Sequence, residues 1–158
     1  MRQLVKTTIA ALMISSFAIL APANSVASTQ DKMPITTSSE KALDYYLEAR
    51  HLANNLRFQE ARKYYDLAIT EDPEFALAYL QAAPVQQSPK DNLAKFDKAK
   101  SMMDRVSKAE QLWILSYEAG TIEGDPQKAR KLLKEMVDAY PNDEQARNLL
   151  GTNYFGQQ

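Results

Sequence analysis

From Ser38 onward the apolar residues recur at three- and four-residue spacing, the stripe left by one buried helix face. No stretch alternates apolar and polar positions between hairpin turns as a strand would. The punctuation between these stretches is also helical. Thr37 with Glu40, and Ser107 with Glu110, have the S/T-x-x-E spacing in which the cap and third-position side chains satisfy each other's free backbone donors. Asp72-Pro73, Ser88-Pro89 and Asp125-Pro126 each set a capping side chain before a proline, whose missing N–H costs nothing in a first helical turn. Asn142 with Gln145 has the same look, and after Asn54-Asn55 a further helix opens near Arg57. The pattern predicts an all-helical chain.

The residues before Ser38 read differently. Arg2 and Lys6 precede an apolar run from Thr7 to Leu20, and small residues follow, ending Ser25-Val26-Ala27. That layout predicts a cleavable signal over residues 1–27 and an exported protein, periplasmic or secreted. The run is shorter than the ~20 residues a bilayer core needs, and Ser15 and Ser16 interrupt it, so no membrane insertion is expected after cleavage. Residues 28–37 are polar and without period, and are expected to form a flexible leader.

Cleavage after Ala27 would remove two of the 19 basic residues and none of the 20 acidic ones, moving the formal charge from −1 to −3. A mildly acidic chain with no basic cluster lacks the footprint of a nucleic-acid binder. The absence of cysteine excludes disulfides, thiolate metal sites, cysteine nucleophiles and a lipid-modified cysteine.

Residue types recur 68 positions apart: Tyr45 answers Trp113, Ala61 answers Ala129 and Pro73 answers Pro141. Sixty-eight is twice 34. In a first unit, residues 42–75, Tyr45 and Ala49 precede Phe58, Glu60-Ala61, Tyr65, Ala68 and Asp72-Pro73. In a third, 110–143, the matching residues are Trp113, Gly124-Asp125, Ala129, Leu133 and Tyr140-Pro141. A partial fourth, 144–158, carries Leu150-Gly151-Thr152-Asn153-Tyr154, while the second, 76–109, is degenerate, with Lys95 where alanine is expected. These residues resemble the tetratricopeptide repeat family, of an exported bacterial type. The resemblance implies one domain over 38–158, an all-α, right-handed solenoid of antiparallel helix-turn-helix repeats, about three units and one extra helix. Tyr45, Tyr65 and Trp113 would lock helix to helix. Tyr117 departs from the family's small residue and would splay the two helices of the third unit.

Catalytic chemistry finds little purchase. His51 is the only histidine and has no ligand-spaced partner, so neither a metal site nor a cofactor is expected. The pairs Glu71-Asp72 and Asp143-Glu144 fall at helix boundaries, where carboxylates complement the helix dipole. The four glycines form no phosphate loop. An enzyme is therefore not expected.

The family resemblance instead implies a concave face, lined by the first helix of each unit, that holds a peptide or a partner's helix. Carried over by position, its residues are Tyr46, Arg50 and Asn54, then Gln111, Ile114 and Glu118, then Gln145 and Asn148. The reading is an extracytoplasmic protein-interaction or assembly module. Its alternative is a self-associating repeat, or the start of a longer array, in which Leu149, Leu150, Tyr154 and Phe155 await a covering helix.

Overall fold

The computed structural model describes residues 32–156, so the signal reading of residues 1–27 and the leader up to residue 31 lie outside the described residues. Among the described residues seven α-helices run in order: α1 (Glu40–Asn54), α2 (Phe58–Glu71), α3 (Ala76–Ala82), α4 (Pro89–Lys100), α5 (Lys108–Tyr117), α6 (Pro126–Ala139) and α7 (Glu144–Phe155). Among the described residues there is no strand.

The period seen in residue types is also the period of the backbone. α1, α2 and α3 open at residues 40, 58 and 76, while α5, α6 and α7 open at 108, 126 and 144, each 68 positions later. The chain is an all-α array of helix pairs, α1 with α2, α3 with α4 and α5 with α6, after which α7 opens a further unit. The helix pairs recur in the order that the resemblance to tetratricopeptide repeats implied. Small residues sit where paired helices approach, and Ala42, Ala49, Ala61 and Ala68 are wholly buried, with Ala129 nearly so. Nothing larger than a methyl group fits there without pushing neighbours apart.

Several helix starts follow the capping logic, and others depart from it instructively. Ser107 and Glu110 make the full reciprocal capping box on α5. Ser88 accepts from the Asp91 amide, and Asp125 from the Gln127 and Lys128 amides. At α1 the cap is Ser39, not Thr37, because the Thr37 hydroxyl is taken by Asp72, 2.6 Å away. At α7 it is Asp143, not Asn142. Asp72-Pro73 closes α2 and opens nothing: Pro73 lies in the turn, and α3 begins at Ala76.

The degenerate unit keeps its two helices in shortened form. α4 stops at Lys100, and Met103–Arg105 forms a 3-10 turn. Leu93 is exposed, whereas Phe96, Ala99 and Met102 are buried. Tyr117 reaches from the third unit to the second. Its ring packs 5.4 Å from that of Phe96 on α4, and its hydroxyl donates to Asn92. The chain beyond it makes one π-helical turn, Glu118–Ile122, where a Cβ on Gly120 would lie 3.3 Å from that of Ala129.

Candidate binding groove

The first helix of each pair contributes to one cavity of about 350 Å³. Tyr46, Arg50 and Asn54 come from α1, Leu77 from α3, Glu110 and Trp113 from α5, and Gln145 and Asn148 from α7. Five of the eight residues named from sequence thus meet there. The other three, Gln111 and Ile114 on α5 and Glu118 just after it, do not. Ile114 is wholly buried in the core, Gln111 turns its amide to the Val106 carbonyl, and Glu118 is paired with Lys100. Glu110 and Trp113 take their place, so the lining face of α5 is turned by one residue from the expected one. A turn of one residue moves a side chain by about 100° around a helix.

A similar shift applies within α1. Tyr45, expected in the core, is half-buried and packs on Tyr64, with the Lys41 ammonium over its ring. Tyr46, expected on the surface, is 0 % exposed. Its ring lies 4.9 Å from that of Phe75 and 6.2 Å from that of Tyr65. Gln81 joins the two tyrosines: its Nε2 donates to the Tyr46 hydroxyl at 2.6 Å, and its Oε1 accepts from that of Tyr65 at 3.0 Å. Burial pushes the pKa of both phenols up, with Arg50 pulling in the other direction. Tyr46 is therefore the floor of the groove and part of the core together, and the Arg50 guanidinium lies 5.7 Å over its ring.

Residues 32–37, expected to be flexible, are held against the array. The extended segment from Met33 to Ser38, here called the strap, crosses the openings of α7 and α5 and ends at the turn before α3. The reason is a set of three buried carboxylates. The Met33 amide donates to Asp143 Oδ2 at 3.0 Å, the Thr36 amide to Glu110 Oε1 at 2.8 Å, and the Ser38 amide to Asp72 Oδ2 at 2.8 Å. Hydroxyls add to this, with Thr36 Oγ1 donating to Glu110 Oε2 and Thr37 Oγ1 to Asp72 Oδ2, both at 2.6 Å.

Each acid also secures its own segment: Asp143 accepts from the Ala146 amide, Glu110 from that of Ser107, and Asp72 from that of Glu74. Exposures of 5 % for Asp72, 1 % for Glu110 and 7 % for Asp143 would be costly for charged groups without donors. Among the described residues none of the three forms an ion pair, so backbone amides and hydroxyls compensate them.

The helix-boundary reading of Asp72 and Asp143 holds only for half of each carboxylate. Sequence reasoning missed the other half, together with Glu110, although a signal was present. Ile35-Thr36-Thr37-Ser38 is a donor-rich run.

Burial works to raise the Asp72 pKa, but hydrogen bonds from the Thr37 hydroxyl and the Ser38 and Glu74 amides outweigh it and hold it below the ordinary 3.8. With the folded value depressed, the stability from this carboxylate is complete above that ordinary value and is lost as pH falls through the lower folded one. Protection of the Ser38 amide against hydrogen exchange should accordingly fall as the pH drops below 3.8. Asp72→Asn should flatten that part of the profile. An unchanged profile in the variant would mean that Asp72 does not hold the strap.

The surface expected to await a covering helix is smaller than its composition implies. Leu149 and Leu150 pack partly against the core, and the Arg130 guanidinium lies 4.2 Å over the Tyr154 ring. Phe155 is 78 % exposed.

No protein-family model matches the sequence, and no curated protein matches it either. Among solved structures the chain is similar to the first tetratricopeptide domain of Spaghetti (RPAP3), bound to the HSP90 peptide SRMEEVD. The identity is 19 %, over 78 % of this chain and 98 % of that one, with a TM-score of 0.41. At so loose a superposition, function has to be read from this chain's own residues.

Proposed function

We propose that this chain is an extracytoplasmic protein-interaction module, without catalytic activity, whose groove binds a partner's peptide in extended form. The observation that carries this is the strap: the groove already holds one extended backbone through carboxylates at the entries to α3, α5 and α7. A helix has free amides only in its first turn and could not donate to all three along its length. Beside the strap, Arg50, Asn54, Gln145 and Asn148 offer a polar wall, and Tyr46, Leu77 and Trp113 an apolar floor. That mixture suits a peptide of mixed character. The exported setting rests on the layout of residues 1–27.

Peptides selected from a random display library on the full chain should lose at least about tenfold in affinity to the Arg50→Glu, Asn148→Asp double variant, one such factor being about 1.4 kcal/mol. The melting temperature should hardly move, because neither side chain is in the core. Peptides that bind both proteins equally would put the site elsewhere. Cell fractionation that left the chain in the cytoplasm with residues 1–27 intact would remove the extracytoplasmic part of the reading.

A further inference from the structure

We infer that the strap, residues 33–38, is a built-in occupant of the groove, and that a partner peptide binds by displacing it from Asp143, Glu110 and Asp72. The inference rests on the peptide-binding reading above and deepens it, because it specifies the ligand. What the three carboxylates accept is chiefly backbone: one amide each, from Met33, Thr36 and Ser38. Backbone amides are common to every sequence, and their spacing of three and then two residues depends on the path of the backbone, so the site reads conformation first. The hydroxyls of Thr36 and Thr37 then add a preference for Ser or Thr opposite Glu110 and Asp72.

Displacement without replacement would give up the amide and hydroxyl donors already aligned on three carboxylates and leave water to supply them, which is unfavourable. Exchange for a second extended segment costs nothing of that kind. The strap is also the part of the array easiest to release. Thr36 and Ser38 are exposed, only Met33 and Ile35 pack partly on the core, and no helix has to open when they leave. The ligand class is accordingly an extended, hydroxyl-bearing peptide free of proline at the three donating positions.

Thr36→Pro provides the test in the full chain. It removes the amide and the hydroxyl that face Glu110, and it favours an extended Ile35, so the strap is weakened without a new shape being imposed on it. The probe is a labelled synthetic peptide with the sequence of residues 31–39, followed by anisotropy, alongside the library peptides selected on the unaltered chain. Both should bind Thr36→Pro at least about tenfold more tightly than the unaltered chain, the scale of one hydrogen bond to a charged group. Should Thr36→Pro lose its helical signal, the triple variant Thr36→Val, Thr37→Val, Ser38→Ala keeps every amide and should show a smaller gain in the same direction.

Amide exchange gives an independent readout, in which a bound library peptide should deprotect Met33 and Ser38 in the unaltered chain. Equal affinity for the unaltered and strap-weakened chains, or library binding that leaves strap protection intact, would overturn the inference while the peptide groove survived. Library peptides that bound neither chain would bring down the groove itself.

Discussion

Replacing Tyr46 with alanine should destabilise the protein by about 3–5 kcal/mol, the range for removing a large aromatic side chain from a packed core. The ring is wholly buried, and it touches Phe75 and Tyr65 across three elements: its own helix, α2 and the entry to α3. Its removal would leave a void in the middle of the first two units. Gln81 would also lose the acceptor for its Nε2 while remaining bound to Tyr65. Tyr46→Phe separates the two contributions. It keeps the ring and orphans only the amide, for a loss of about 1–3 kcal/mol. Urea unfolding of the two variants should therefore show both less stable than the parent, with the alanine variant well below the phenylalanine one. A melt of Tyr46→Ala indistinguishable from the parent would mean that Tyr46 is a surface residue, as its sequence position first implied.

Glu110→Ala should be the second most damaging change, at about 3 kcal/mol, because hydrogen bonds to a charged group contribute roughly 1.5–3 kcal/mol each and several go together. The side chain closes the capping box on α5 through the Ser107 amide, and it receives both the amide and the hydroxyl of Thr36. Its loss orphans the Ser107 donor at a helix start and frees the centre of the strap. Two readouts belong to the two halves. The denaturation midpoint reports the whole loss, and exchange at the Thr36 amide reports the strap alone. Glu110→Gln keeps one carbonyl acceptor but turns an NH₂ toward donors, so it should fall between alanine and the parent. A loss under about 1 kcal/mol, with Thr36 still protected, would show that Glu110 is not what holds the strap.

How far the fold was legible depends on whether the signal is local. Ser107 with Glu110, Ser88-Pro89 and Asp125-Pro126 mark helix starts because a cap satisfies donors only two or three residues away. The 68-residue period survives in residue types because Ala61 and Ala129 meet the same steric limit at equivalent crossings. Local chemistry misled where a side chain had a distant claim on it. Thr37 has the spacing of a cap and bonds instead to Asp72, 35 residues away; Asp72 precedes a proline and yet opens no helix.

The site was legible to the level of the helices and not of the side chains. That the first helices line the groove follows from repeat stacking, and Arg50, Asn54, Gln145 and Asn148 lie where that argument put them. Which of two adjacent residues faces inward is set by the rotation of each helix on its neighbours, and adjacent residues differ by about 100°. Hence Tyr46 replaces Tyr45 in the core, and Glu110 and Trp113 replace Gln111 and Ile114 along the groove.

The sequence by itself determined the helical class, most helix starts and the repeat, since each is written in spacings shorter than a helix or in a period that repeats them. Only the tertiary structure decided that Asp72, Glu110 and Asp143 converge on one strand of chain. Their separations of 38 and 33 residues carry no local pattern, and a polar segment such as residues 32–38 acquires a fixed place only where buried acceptors at three separate helix entries line up to receive its amides.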